Sequence, residues 1–242
     1  MENDKLTEPA SVIDEEKGTL KRIFQDRERT NILRSSEQRT ISFLVKRIPD
    51  FISSDMLTFI GTLGCVIVMM GFILGSYIDS AYLLLGIPGL AINWVGDSLD
   101  GRMAYYRKIP RKWYGFSLDV IMDWIGMVLI GLGYLVYSKG TYELIPFLFV
   151  VLYGWAMIIT QLRYKITDLY TIDAGTIGPT EIRFILVFVL ITEVIFNDTI
   201  KYFAAIMVGV LLIINIVDTV KLLRLGDIRD NAEREEKKKL NG

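Results

Sequence analysis

The sequence predicts an all-α integral membrane protein, with six transmembrane helices preceded by an N-terminal juxtamembrane amphipathic helix. Three observations carry this prediction. Hydrophobic residues make up 52% of the 242-residue chain and its mean hydropathy is +0.38, richer in apolar residues than a soluble domain. The apolar residues gather in long runs separated by short polar or charged stretches. Lys and Arg concentrate on alternate connections between those runs.

Residues 1–50 are expected to form a cytoplasmic tail and interfacial helix, 51–224 the six-helix transmembrane domain, and 225–242 a charged cytoplasmic tail. The net charge of −1 conceals an asymmetry, because residues 17–49 hold nine Lys/Arg against three Asp/Glu while the extreme N-terminus is acidic. The first 50 residues lack the apolar core of a signal peptide, so an internal segment is expected to drive insertion.

Residues 1 to about 16 show no periodic pattern and read as a disordered tail. Leu20, Ile23 and Phe24, then Ile41, Leu44, Val45 and Ile48, recur at helical spacing among basic residues. The second set describes an amphipathic helix ending at Pro49. It suits the headgroup region of an anionic leaflet, or packing against the protein itself.

The first span opens at Ser53-Ser54-Asp55, where Ser54 or Asp55 can cap it, and residues 56–78 then carry no charge. After Asp79-Ser80, residues 81–96 form a second run, bent at Pro88, that delivers Asp97 and Asp100 to its far end. The third span, about 114–138, carries Asp119 and Asp123 in its first turns. Spans four to six are expected at 142–162, 181–196 and 202–223. Trp113 and Tyr114 read as interfacial anchors, and the positive-inside rule places both termini and the loops holding Arg107, Arg163 and Lys165 in the cytoplasm.

The single cysteine, Cys65, excludes an intrachain disulfide or a thiolate metal cluster and reads as a small core residue. The chain has no histidine, which excludes imidazole bases and His-ligated zinc or haem. A general base must therefore be a carboxylate or a less usual group. Glu193 and Asp218 sit near opposite span boundaries, and neither is expected to be catalytic. There is no glycine-rich phosphate loop and no repeat, and no nucleic-acid partner is expected.

The chemistry concentrates between residues 97 and 123. At about 100° per residue, Asp97, Asp100 and Gly101 share one helical face, while Asp119 and Asp123, four residues apart, share another. Two helices can thus aim four carboxylates into one gap, in a polar notch just inside the cytoplasmic interface. Their mutual repulsion in a low dielectric calls for a hard divalent cation or for extensive protonation. The cation is the leading reading, and Mg²⁺ or Mn²⁺ suits oxygen ligands. Arg102, Arg107, Lys108, Arg111 and Lys112 lie between the two pairs, able to hold phosphate.

The pattern Asp97-x-x-Asp100-Gly101-x-x-Ala104, followed by Gly115-x-x-x-Asp119-x-x-x-Asp123, resembles the signature of the CDP-alcohol phosphotransferase family, integral membrane enzymes of phospholipid synthesis. The chain departs from it in having Tyr105 where the family usually has Arg, and one extra residue before Gly115. Of the family's Pro-Asn-x-x-Thr element only Thr58 matches, Ser54 and Asp55 replacing Pro and Asn. The resemblance implies metal-dependent transfer of a substituted phosphate, with phosphatidyl the expected group, from a CDP-alcohol to an alcohol with release of CMP. By the same analogy Asp97, Asp100, Asp119 and Asp123 hold the metal, and Asp123 is also the general base. Gly101, Ala104 and Gly115 clear space for the nucleotide, and Thr58 either touches it or packs between helices.

CDP-diacylglycerol or another CDP-alcohol is the expected donor, and a small alcohol or polyol phosphate the acceptor. A homodimer among membrane lipids is implied, in a bacterial inner (plasma) membrane. Thr180 is expected to cap the fifth span after Pro179, turning free N–H groups toward the notch. Arg163, Lys165 and Arg183 then either bind an anionic acceptor or merely obey the positive-inside rule. A cation or proton transporter using the aspartates as a relay is the alternative from another class, and it requires ionisable residues to continue across the membrane.

Overall fold

The computed structural model describes residues 34–138, 140–167 and 179–240. Among them every regular element is helical: α1 (Arg34–Val45), α2 (Ser54–Tyr77), α3 (Gly86–Tyr106), α4 (Lys112–Tyr137), α5 (Leu144–Thr167), α6 (Pro179–Ile195) and α7 (Ile200–Leu240). Short 3-10 helices at Ser80–Leu85 and Gly140–Tyr142 join α2 to α3 and α4 to α5. Four helices, α2, α4, α5 and α7, are long and apolar enough to cross a membrane. Their surfaces agree, since α7 exposes Ile206 (65%), Ile213 (64%) and Leu223 (65%). Apolar area on that scale is stable against lipid and a liability in water.

The other two expected spans correspond to α3 and α6. At 17 residues, α6 is about 26 Å long, slightly under the ~30 Å hydrocarbon core. The second run differs from expectation in two ways. It opens as the 3-10 turn at Ser80–Leu85, and the α-helix then continues ten residues beyond 96, so the aspartates lie within α3. Pro88 falls in the first turn of α3, where its missing N–H removes no helical hydrogen bond and no bend is required.

Helix α2 is the hub, packed along both α3 and α4, while α3 and α4 themselves make at most isolated contacts among the described residues. Glycines set how closely α2 and α3 approach. A Cβ on Gly64 would stand 2.4 Å from the Gly89 carbonyl oxygen, and one on Gly96 would stand 2.4 Å from the Gly61 nitrogen. The backbones therefore touch, as small residues permit in membrane helices. On the other side of α2, a Cβ on Gly133 of α4 would fall 2.8 Å from the Met69 Cα. Below this crossing the apolar core gathers Val68, Phe72, Leu83, Tyr134 and Leu190.

Helix α1 packs one side of its apolar stripe against the bundle. Ile41 and Val45 are each 1% exposed and pack with Leu57, Leu99 and Met103 at the ends of α2 and α3. Ile41 and Val45 thus face the protein, while Phe43 on the same helix is 56% exposed. The helix ends at Val45, ahead of the segment that Pro49 biases away from helix. Leu20, Ile23 and Phe24 lie outside the described residues. The cap of α2 is Ser53, whose hydroxyl accepts from the Met56 N–H at 3.1 Å, which leaves Ser54 and Asp55 for other partners. Helix α6 begins at Pro179, so Thr180 sits inside its first turn and not at its cap.

The final helix does not end near residue 223 but runs to Leu240. Arg229 explains part of this, donating to the carbonyls of Lys165 (3.0 Å) and Ile166 (2.6 Å) at the C-terminal end of α5. Pairs such as Arg229–Glu233 at 3.1 Å support the exposed turns. Deeper, Asn215 donates to the Leu152 carbonyl at 2.8 Å, fixing α7 against α5.

Candidate functional site

Because α3 and α4 flank α2 without closing on each other, their polar faces leave a cavity at the end of the bundle where α3 stops and α4 starts. Asp97 and Asp100 come from α3, Asp119 and Asp123 from α4, and Thr58 from α2; all line this cavity together with Asn93. Carboxylate oxygens of Asp97, Asp119 and Asp123 all lie within 4.8 Å of one another. One residue on one helix and an i,i+4 pair on another thus converge as helical spacing allows.

Asp100 stands in the same cavity outside that convergent trio. It is 8% exposed, and Thr58, itself buried, donates its hydroxyl to Asp100 Oδ2 at 2.7 Å. Ser54 donates to the Asp100 carbonyl at 2.7 Å, a second tie from the start of α2 to the same turn of α3. Thr58 therefore works between helices, holding a carboxylate. Gly101 and Gly115 are different, since a Cβ built on either meets nothing within 4 Å. Both border open space, Gly101 next to Asp100 and Gly115 one turn before Asp119, and Ala104 lies half-buried one turn beyond Asp100.

The acidic trio has a resident cation. Arg183 of α6 donates from Nη2 to Asp97 Oδ2 at 2.6 Å and from Nε to Asn93 Oδ1 at 2.9 Å. Asn93 is fixed in turn by donating to the Gly61 carbonyl at 3.2 Å. The Arg183 side chain is only 16% exposed, and its charge also acts on Asp123. Arg163 goes elsewhere, pairing with Asp218 of α7 at 3.3 Å, and Lys165 is exposed near the end of α5. Of the three basic residues singled out from the sequence, Arg183 alone has a described contact with an aspartate of the motif.

The basic connection between α3 and α4 is partly committed to structure. Arg107 donates to the carbonyls of Ile52 (2.6 Å) and Pro49 (2.9 Å), and Arg111 pairs with Asp55. Both pin the start of α2. At the opposite end, Glu193 is 2% exposed and accepts from the Tyr137 hydroxyl at 2.7 Å and from the Thr199 and Ile200 N–H groups at 2.7 Å each. It caps the turn into α7. A larger cavity presents an apolar surface, bordered by Val68, Phe72, Tyr134 and Leu190 among others, and Tyr134 is the one titratable residue in its lining.

Asn93 was not singled out from the sequence. Its signal was present, as the one amide in the otherwise apolar run 81–96, four residues before Asp97. An all-oxygen donor set, three carboxylates at mutual distances within 4.8 Å, fits a hard divalent cation. Compared with known protein-family models and with curated proteins, the chain matches none.

Proposed function

We propose that the protein is a metal-dependent CDP-alcohol phosphotransferase that moves a substituted phosphate, most simply phosphatidyl, from a CDP-alcohol to an alcohol and releases CMP. The observation that carries this reading is the convergence of Asp97, Asp119 and Asp123 within 4.8 Å, with Asp100 in the same cavity and in the order of the family's motif. Asp97, Asp100, Asp119 and Asp123 would hold Mg²⁺ or Mn²⁺. Such an ion, when bound, draws the phosphate in and offsets the charge it develops.

The chain's own groups then have separate tasks. Asp123 accepts the proton of the acceptor hydroxyl as that oxygen bonds to the phosphorus bearing the lipid alcohol. The anhydride P–O bond breaks, and the electron pair leaves with CMP. Thr58 keeps Asp100 in register, and the open flank at Gly101, Ala104 and Gly115 receives the nucleotide. Arg163, Lys165 and Arg183 are proposed to meet an anionic acceptor such as a polyol phosphate.

In this reading α3 and α6 also cross the membrane, giving six spans. Both termini and the site face the cytoplasm of a bacterial cell, and the chain works as a homodimer among its lipid substrates. The test is to incubate purified protein with CDP-diacylglycerol and a panel of alcohols and measure CMP. Release that depends on one alcohol is expected, and Asp100→Asn and Asp119→Asn should abolish it without unfolding the protein. Near-normal turnover in both variants would remove the metal-site assignment. Cation flux without CMP release would favour the transporter reading instead.

A further inference from the structure

Arg183 poses a question that the proposed reaction does not answer. Its guanidinium neutralises Asp97 at 2.6 Å, and Asp97 is one of the three carboxylates whose oxygens converge. A cation bound among those oxygens and the guanidinium compete for the same carboxylate. Two positive charges a few ångströms apart in a half-buried pocket repel each other, which makes simultaneous occupation costly. The second contact of Arg183, to the neutral Asn93 Oδ1 at 2.9 Å, carries no such conflict and provides a pivot. Arg183 lies in the second turn of α6, and rotation about its side-chain bonds can take the guanidinium off Asp97 without moving the helix.

We propose that Arg183 is a positioning residue that couples the two ligands of the site: it holds Asp97 in the metal-free state, and a divalent cation that takes Asp97 releases the guanidinium to an anionic group of the second substrate. This rests on the carboxylates being a metal site, as proposed above. Linkage makes the coupling reciprocal, so the cation tightens anion binding by the same factor by which the anion tightens cation binding. The site would then resist holding either ligand alone, and an ordered assembly follows from one ion pair.

The experiment is Mn²⁺ binding to the purified full-length protein, followed by electron paramagnetic resonance, with and without inorganic phosphate as the probe anion. Wild type should bind Mn²⁺ about fivefold or more tightly when phosphate is present. Arg183→Gln should bind Mn²⁺ about fivefold or more tightly without phosphate, and phosphate should then add less than twofold. Arg183→Lys keeps the charge, and should keep both the weaker basal affinity and the phosphate effect.

Mn²⁺ affinity that is unchanged or weakened in Arg183→Gln overturns the proposal. So does a phosphate effect that survives in that variant, which would mean that phosphate acts directly on the ion and that residue 183 only repels it. If neither wild type nor Arg183→Gln binds Mn²⁺, with or without phosphate, the metal reading itself fails, an outcome distinct from binding that ignores residue 183.

Discussion

Thr58 donates its hydroxyl to Asp100 Oδ2 at 2.7 Å, a buried hydrogen bond linking residues 42 positions apart. The pair joins the hub helix α2 to the motif helix α3 at the edge of the acidic cavity. A charge-assisted bond of this kind contributes about 1.5–3 kcal/mol. Thr58→Val, which keeps shape and loses the donor, should lower CMP release by roughly 10- to 100-fold on that scale. Thr58→Ser should retain most of it. Equal rates for Val and wild type would mean that the bond is incidental.

The α2–α3 crossing makes a separate prediction about stability. Gly64→Ala places a methyl group 2.4 Å from the Gly89 oxygen and 2.5 Å from the Asn93 nitrogen, so a helix must move. A loss of about 1–3 kcal/mol is expected. Gly209→Ala on α7, where nothing lies within 4 Å, should be neutral or slightly stabilising. Thermal unfolding in detergent compares the two, and equal melting temperatures would contradict the packing described.

Glu193 is a structural carboxylate in this account. Its oxygens accept from the Asp198, Thr199 and Ile200 N–H groups, and Glu193→Ala orphans all three at the start of α7. Destabilisation of ~3 kcal/mol is expected, since each buried donor left unmade costs about 1–3 kcal/mol and some will find water. KM values measured well below the melting temperature should not change. A variant that melts normally but loses activity would instead place Glu193 in the chemistry.

Topology can be read with one thiol reagent, because the native Cys65 is only 3% exposed. Lys112→Cys and Phe196→Cys lie at opposite ends of the bundle, both at exposed positions. A membrane-impermeant maleimide added to intact cells should label residue 196 and leave residue 112 unlabelled until the membrane is opened. The reverse pattern would invert the proposed orientation.

Much of this site was legible in the sequence, because helical spacing alone puts Asp119 and Asp123 on one face and Asp97 with Asp100 on another. The run lengths marked six candidate spans, of which those at α2, α4, α5 and α7 are helices long and apolar enough to cross a bilayer. The sequence did not reveal which aspartates converge, since that depends on the helix crossings set by Gly61, Gly64, Gly89 and Gly96. Nor did it reveal that Arg183 reaches Asp97 across 86 positions, for no local period relates α6 to α3. The fate of α1 was ambiguous for a related reason: Ile41 and Val45 make the same stripe whether it meets lipid or Leu57 and Met103.

The most direct test of the central claim is metal add-back. Protein stripped with EDTA should release no CMP from CDP-diacylglycerol with the preferred acceptor, and Mg²⁺ or Mn²⁺ should restore release in the wild type. Asp123→Asn, folded to the same melting temperature within a few degrees, should stay inactive even at saturating metal. Full activity in EDTA, or metal-restored turnover in Asp123→Asn close to that of the wild type, would contradict the account.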